Sequence, residues 1–444
     1  MQPERPQRAR GSTLRLTSGF TFFDAFGDTL LARIPRDFGH GLYSFFPADI
    51  QSPLARRCYP KTMNVFVAGG GMILQDQILP SLYQLQRLGR LGEISICARN
   101  ASTLQALSDT PKIRRAFPQS KFRAIAGGFA DAMRGLDKGT LVVVALPDNL
   151  HFAAVMQALQ QHCHVLCVKP LVLTVAESEQ IETAARAHSL VVAIEYHKRL
   201  DDRSLMARER YRAGRFGDFR LGSAVLFEKW YYRHSNFQNW FTKENSDAFT
   251  YIGCHYVDLV AFITGLTPVA VSVHGIADKF PNGNEGWLWT DARVLWSNGA
   301  CLNVQNALGF PDAGPGTNTQ GLTLYCAGGE NGALLKHSDQ YRGLEYCYTS
   351  MPPGDGVTQY SEPSPDYFQY VHLGPGQGWV PVGYGYRSID FIVSQIQAAV
   401  ANPAMLADIE AAGILATPAN SRYNERVIEA ARLSIADHGR LVAC

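Results

Sequence analysis

The stretch that decides the fold is Val65-Phe66-Val67-Ala68-Gly69-Gly70-Gly71-Met72-Ile73-Leu74. Its first four residues are an apolar strand, and residues 73–88 continue with the apolar spacing of a helix. Gly69 permits a tight turn between them, and Gly71 lets the backbone approach a pyrophosphate whose charge the helix N-terminus stabilises. This order is typical of dinucleotide binding, although Leu74 replaces the expected third small residue. An ordinary glycine-rich turn is the alternative.

The segments that follow repeat the alternation of strand and helix. The hydrophobic pattern predicts strands at residues 93–98, 141–146, 165–168 and 191–195, and helices at residues 101–117, 151–161 and 175–188. The strands are apolar on both faces, which is typical of a parallel sheet covered by helices. We therefore predict an α/β protein in which residues 61–199 form a dinucleotide-binding Rossmann domain, with Met72 and Ile73 beside the cofactor.

The rest of the chain has a different texture. Longer alternating segments at residues 220–227, 270–276, 292–296 and 300–307 are typical of an antiparallel sheet. We predict a second, substrate-binding α/β domain over residues 200–444, whose last helix, about residues 425–439, packs back on the first domain. Residues 1–60 have no helix or strand period and stay unassigned. They are either upstream of a true start at Met63 or an Arg-rich targeting segment.

The composition is that of a globular protein without a preferred charged partner. The chain has 444 residues, 46% of them hydrophobic, and its 41 basic and 39 acidic residues give a net charge of +2. This balance favours neither nucleic acid nor a membrane surface, and no run of 18 apolar residues predicts a span. The nine cysteines include no C-x-x-C pair, so we predict reduced thiols, no metal and a cytoplasmic location.

The end of the second predicted strand bears on the choice of cofactor. A carboxylate usually stands there to hold the adenosine ribose hydroxyls. This chain instead reads Cys97-Ala98-Arg99-Asn100. Arg99 can bind a 2′-phosphate that a carboxylate would repel, which favours NADP. In the alternative, Arg99 is solvated and Asn100 serves the ribose of NAD, so both cofactors stay open.

Three further motifs resemble those of the Gfo/Idh/MocA family. Leu146-Pro147-Asp148-Asn149-Leu150-His151 resembles T-P-N-x-x-H, and Val168-Lys169-Pro170-Leu171 resembles E-K-P. Gly253-Cys254-His255-Tyr256-Val257-Asp258 is similar to G-x-H-x-x-D, which opens a helix in the second domain. The likeness runs from about residue 64 to residue 439.

The resemblance implies both a fold and an activity. It implies a Rossmann domain followed by an α/β domain with an open, mainly antiparallel sheet, whose outer face makes a homo-oligomer contact. It also implies NAD(P)-dependent chemistry on sugars, polyols or related alcohols. Lys169 and His255 would then surround the carbon that exchanges hydride. The cofactor would be contacted by residues of the first two motifs, namely Pro147, Asn149, His151 and Lys169.

Four positions depart from the family pattern. Leu146 replaces the Thr, Asp148 displaces the Asn, and Val168 replaces the Glu of E-K-P. Position 251, four residues before His255, often holds Asp in the family and is Tyr251 here. A phenol can still pass a proton, so Tyr251 either shares acid–base work or only shapes the pocket.

Oxidation of a secondary alcohol needs a base at the hydroxyl. Burial beside apolar neighbours and the positive charge of an oxidised nicotinamide both favour a neutral amine on Lys169, which could serve as that base. In the alternative, Lys169 only hydrogen-bonds cofactor and substrate, and His255 or Tyr251 is the base. Aromatic rings and basic groups suit a carbohydrate. The candidate substrate contacts are His197, Trp230, Arg233, Asp258 and Tyr341.

We therefore predict an NAD(P)-dependent oxidoreductase that acts on a sugar, polyol or related alcohol. A second hypothesis is a glycoside-cleaving enzyme that retains its nicotinamide and proceeds by transient oxidation, elimination and re-reduction. The tyrosine at position 251 and the crowd of aromatic residues keep that hypothesis open. A third is a nucleotide-responsive regulator without turnover, which the retention of Lys169 and His255 argues against.

Overall fold

The structure is a computed structural model that describes residues 62–314, 318–328, 331–338, 347–349, 358–360 and 367–444. The predicted segment 1–60 and the predicted substrate residue Tyr341 lie outside these ranges. In the described part of the chain, no helix is long and apolar enough to cross a membrane.

The first half of the described chain is built on six parallel strands. The order across the sheet is β3-β2-β1-β4-β5-β6, which confirms the predicted Rossmann sheet. Except in the edge strand β3, nearly every residue of these strands is buried, because helices cover both faces. The strands are β1 Met63–Ala68, β2 Leu91–Ala98, β3 Arg123–Ala126, β4 Leu141–Val144, β5 His164–Val168 and β6 Val192–Glu195.

Helices connect these strands, and one predicted helix is corrected. The expected helix over residues 101–117 is two helices, because Pro111 has no backbone N–H and the preceding Thr110 leaves the helical region (φ −55°, ψ 114°). A π-helical turn at Leu74–Ile78 follows the glycine turn. The helices are α1 Leu79–Arg87, α2 Ala101–Ser108, α3 Pro111–Ala116, α4 Phe129–Ala132, α5 His151–Gln160 and α6 Val175–Ala187.

A second sheet of seven strands follows, in the order β12-β11-β7-β10-β9-β8-β17. Its pairings are antiparallel except for the parallel pair β7 and β10. This agrees with the expected open, mainly antiparallel sheet. The strands are β7 Asp218–Lys229, β8 Pro268–Lys279, β9 Glu285–Trp296, β10 Cys301–Phe310, β11 Asn318–Ala327 and β12 Ala333–Ser338, then the hairpin strands β13 Cys347–Thr349, β14 Thr358–Tyr360, β15 Gln369–His372 and β16 Trp379–Val382, and finally β17 Val442–Ala443.

Six helices accompany the second sheet and the end of the chain. Apolar and polar side chains alternate along the strands, so one face of the sheet is buried. Residues of the helix Cys254–Thr264 pack against this face. The helices are α7 Asp202–Arg212, α8 Cys254–Thr264, α9 Tyr384–Ala401, α10 Met405–Ala412, α11 Pro418–Ser421 and α12 Tyr423–Ala436.

Of the last long helices, α9 packs on the first sheet, and α12 packs on both. Ile389, Ile392 and Ile396 of α9 are buried in one cluster with residues of β1 and β2. Burial of such side chains contributes roughly 1.5–3 kcal/mol each. In α12, Val427 packs in the core of the second sheet, whereas Ile428 packs in a core of the first. The division of the chain at residue 199 stays a prediction.

Candidate active site

A cavity of about 1680 Å³ lies between the two sheets. On one side it is lined by the loops that follow the carboxyl ends of the parallel strands, which is where ligands bind in open α/β sheets. On the other side it is lined by β7, β11 and the segment that begins α8. Twelve of the predicted site residues line it: Gly69, Gly71, Met72, Ile73, Arg99, Asn100, Pro147, Asn149, Lys169, His197, Tyr251 and His255.

The glycine turn after β1 has the shape that a pyrophosphate needs. Gly69 adopts φ +116°, and a Cβ there would lie 2.0 Å from the carbonyl oxygen of Ala145, so no other residue fits. At Gly71, by contrast, a Cβ would meet nothing within 4 Å and would only occupy space in the cavity. That open cradle at the start of a helix fits the diphosphate of a dinucleotide.

The end of the cavity beside β2 carries basic side chains. Arg99 and Asn100 are exposed at the end of β2, and both line the cavity. Lys112, at the start of α3, lines the same cavity and is absent from the prediction. The composition of this end suits a ribose with or without a 2′-phosphate.

Lys169 follows β5 and contacts the π-helical turn Phe249–Gly253 that precedes α8. Its Nζ donates a hydrogen bond to the carbonyl oxygen of Tyr251 and lies 3.8 Å from the centre of the Tyr251 ring. Both contacts stabilise a positive charge on the amine. Burial raises the pKa of the Tyr251 hydroxyl well above its usual value, so this phenol is protonated and can donate.

His255 stands in the first turn of α8 with only 7% of its surface exposed. Burial is the largest cause, with the nearby charges of Lys169 and Lys198, that holds the pKa of its imidazole well below the ordinary value. The ring is therefore neutral. Its Nδ1 is buried and has no hydrogen-bond partner among the described residues. The residue lines the cavity, so its ring lies beside the space that a ligand would occupy.

Two motif residues do not line the cavity. His151 lies beneath it, and its ring nitrogens are 2.8 Å from the carbonyl oxygens of Pro170 and Leu146, so it ties two strand-end loops together. Asp258 is buried one turn beyond His255 and accepts two hydrogen bonds from Arg199, at 2.8 and 2.5 Å. The structure thus places both residues in supporting positions.

The two remaining predicted substrate residues in the described chain are also outside the cavity lining. Arg233 is buried, and it donates to the carbonyl oxygen of Leu308 and to Asp278 at 2.6 Å each. Its guanidinium lies 3.9 Å from the ring centre of Trp230, which is exposed. No group of three His, Cys, Asp or Glu side chains in the described ranges is placed to hold a metal ion.

Several cavity residues were absent from the prediction. Asp148 is buried, accepts a 2.6 Å hydrogen bond from Ser246, and has a pKa raised by burial. Glu195, at the end of β6, forms a hydrogen bond with His197. Glu228 of β7 has a pKa that burial raises, and Tyr367 enters from a distant segment. Two of these residues carried a signal in the sequence: Asp148 lies in the segment that resembles T-P-N-x-x-H, and Glu195 ends a predicted strand.

Comparison with known proteins bears directly on this geometry. Residues 63–196 match the model of an oxidoreductase family with an NAD-binding Rossmann fold, and residues 204–317 match the GFO/IDH/MocA C-terminal domain. The chain belongs to the Gfo/Idh/MocA family. Its Rossmann domain is therefore the NAD-binding domain of that family, as the three motifs indicated.

The individual Gfo/Idh/MocA proteins that resemble this chain have low sequence identity to it or match only part of it. An uncharacterized oxidoreductase of Schizosaccharomyces pombe is 32% identical over 38% of this chain and 44% of its own length. D-glucoside 3-dehydrogenase of Escherichia coli is 23% identical over 48% of this chain and 57% of its own length. These matches thus span about half of each relative. GenD2 from gentamicin A biosynthesis, solved in complex with NAD, shares the fold, with a TM-score of 0.62, 19% identity, and coverage of 87% and 97% of the two chains.

Proposed function

We propose that this Gfo/Idh/MocA protein is an NAD(P)-dependent dehydrogenase that oxidises a secondary alcohol of a sugar, polyol or related compound. One observation carries the proposal: a single cavity joins the open cradle at Gly71 to Lys169 and His255. The bound nicotinamide would supply the hydride acceptor. Gly69, Gly71, Met72 and Ile73 would hold its diphosphate end, because they form the turn and the helix start.

Lys169 and Tyr251 are assigned to the substrate oxygen. A charged amine and a protonated phenol are both donors, and hydrogen bonds from donors stabilise negative charge that develops on an alcohol oxygen during hydride loss. Of the two roles proposed for Lys169, this arrangement supports the hydrogen-bonding one, since the amine already acts as a donor to the carbonyl oxygen of Tyr251. His255 is neutral and can accept a hydrogen bond from the substrate.

The class of substrate follows from the lining of the second domain. Aromatic side chains alternate there with amides and a carboxylate, an arrangement that packs on a sugar ring and hydrogen-bonds its hydroxyls. The similarity to a D-glucoside 3-dehydrogenase supports the same class. The residues are Tyr231, Tyr232, Asn236, Phe237, Asn239, Trp240, Asn318, Gln320 and Glu228.

We keep glycoside cleavage with a retained nicotinamide as a second candidate. Elimination requires removal of a second proton, from the carbon beside the new carbonyl, and a proton for the leaving group. His197, His255 and Tyr251 all line the cavity and offer more than one proton-transfer group. This observation is specific to the second candidate, because simple oxidation needs only one base.

A homo-oligomer contact through the outer face of the second sheet is also proposed. Leu221, Tyr325 and Leu334 stand opposite each other on β7, β11 and β12, and each is more than half exposed. Such an apolar row is typical of a protein interface. Light scattering of a Tyr325→Glu variant tests it, and an unchanged oligomeric mass would contradict it. A cytoplasmic location stays a prediction.

One experiment separates the candidate functions. The full chain is incubated with a panel of free sugars, polyols and glycosides, with and without NAD or NADP, while nicotinamide absorbance at equilibrium and released sugar are followed together. Net reduction of added nucleotide supports the dehydrogenase. Sugar release without net reduction would exclude it in favour of glycoside cleavage. A purified protein that neither contains a nicotinamide nucleotide nor binds an added one, as measured by fluorescence, would contradict both candidates.

A further inference from the structure

Glu195 holds a buried carboxylate at the end of β6. Only 2% of the residue is exposed. Its Oε1 accepts hydrogen bonds from Gln77 and Ser388, both at 2.8 Å, and its Oε2 lies 3.0 Å from Nδ1 of His197. Gln77 and Ser388 thus donate to this carboxylate from two distant segments of the chain, and such hydrogen bonds offset the cost of burying it.

This carboxylate orients the ring of His197. Because an ionised carboxylate only accepts hydrogen bonds, Nδ1 of His197 is the donor, and Nε2 carries the lone pair of the neutral ring. The ring lines the cavity, and its centre lies 4.7 Å from that of His255. Tyr384 stacks on the ring at 5.7 Å and limits its rotation.

Among the described residues, no carboxylate is hydrogen-bonded to the other candidate bases of the cavity, Lys169, Tyr251 and His255. Tyr251 is held protonated by burial, and the amine of Lys169 is engaged with the carbonyl oxygen and the ring of Tyr251. Burial and the nearby positive charges of Lys169 and Lys198 both oppose a proton on the ring of His255. His197 alone among these four has a carboxylate bonded to it, and this carboxylate would stabilise the imidazolium formed by proton uptake.

We propose that His197 is a catalytic residue that takes the proton of the substrate hydroxyl on Nε2, and that Glu195 is a positioning residue that fixes the ring and stabilises its protonated form. The role rests on the proposed dehydrogenase function. In the oxidation, the O–H bond breaks and an N–H bond forms at Nε2. The C–H bond breaks as hydride passes to the oxidised nicotinamide, and the C=O bond forms.

Several titratable groups lie near the ring of His197 and can affect the pH profile of kcat. Apart from Glu195, the ring faces His255 from α8, Tyr367, and Tyr384 at the start of α9. Glu228 of β7 also interacts with it electrostatically. The effect of the Glu195 carboxylate must therefore be isolated by substitution of that residue.

Two measurements test the proposal. In the full chain without nucleotide, ¹⁵N spectra of labelled histidine rings, assigned with a His197→Asn variant, should show the proton on Nδ1 and a bare Nε2. With a substrate from the panel, His197→Asn should lower kcat by about 10²–10⁴-fold while the Kd for nucleotide stays unchanged. Glu195→Gln should lower kcat and move the acidic limb of its pH profile to lower pH, because the imidazolium loses its counter-charge.

A second buried pair provides the matched control. His337 lies 3.0 Å from Asp201 and is equally buried, but neither residue lines the cavity. A His337→Asn variant should keep the pH profile of kcat. A proton on Nε2, or a kcat within threefold of the parent in His197→Asn, would overturn the role of His197 alone. A parent protein that neither contains a nicotinamide nucleotide nor binds an added one would overturn the proposed function and this role with it.

Discussion

Glu425 provides a stability test that is independent of catalysis. Its side chain is fully buried near the start of α12, and neither carboxylate oxygen has a hydrogen-bond partner among the described residues. Burial is the largest cause that raises the pKa of this carboxyl from its ordinary 4.5 to about 8. The folded protein therefore holds the group protonated at neutral pH. We consider Glu425→Gln, which keeps the shape and removes the ionisation.

The expected magnitude follows from these two values. Well below pH 4.5 the carboxyl is protonated in both the folded and the unfolded state, so its ionisation does not change the free energy of unfolding. As the pH rises from 4.5 towards 8, the unfolded chain releases the proton and the folded one does not, so stability is lost over this window. The loss amounts to about 0.8 kcal/mol at pH 5 and about 3.3 kcal/mol at pH 7. The variant should therefore gain about 2.5 kcal/mol over the parent between these pH values.

Urea unfolding of both proteins at pH 5, 6 and 7 measures this gain. Any cost of burying an unpaired amide in Glu425→Gln is the same at each pH and cancels in the comparison. Glu209→Gln, on the exposed side of α7, is the control and should show no pH-dependent difference. If the difference between Glu425→Gln and the parent were constant from pH 5 to 7, the inference that Glu425 is protonated in the folded state would be refuted.

Three further predictions concern the cavity. Lys169→Ala should lower kcat at least about 100-fold with little change in nucleotide Kd, and full turnover would contradict its role. Gly69→Ala should destabilise the fold, because its Cβ would clash with Ala145, whereas Gly71→Ala should keep the melting temperature and weaken nucleotide binding. An equal loss of stability in both would argue against the cradle. Arg99→Ala should raise the Kd for NADP about tenfold and leave that for NAD unchanged, as fluorescence titration would show.

The predicted strands of the first sheet lie within two residues of the observed ones where the pattern was strong. Runs such as Leu141–Val144 are apolar on both faces and have no competing helical period. β3 was missed because it lies at the sheet edge and its residues are mostly exposed, so no hydrophobic signal marks it. α7 was also missed, since its composition is strongly polar around the whole helix.

The candidate site also has parts that the sequence predicts and parts that it does not. Residues placed by a local motif, such as Gly71 and Lys169, do line the cavity. The network around Glu195 joins residues 118 and 193 positions away in sequence, and no local pattern encodes such contacts. Asp258 was predicted to contact the substrate because its motif places it three residues after His255. The motif does not show that its side chain faces Arg199 instead of the cavity.

The position of α9 limits how this protein can be dissected. Ile389, Ile392 and Ile396 pack in a core whose other members include residues of β1 and β2, so part of the core of the nucleotide-binding sheet comes from a helix near the far end of the sequence. A fragment ending at residue 199 would present that interior to water. A chimaera that takes its N-terminal half from a relative, in order to change the cofactor preference, would therefore also need α9 from that relative.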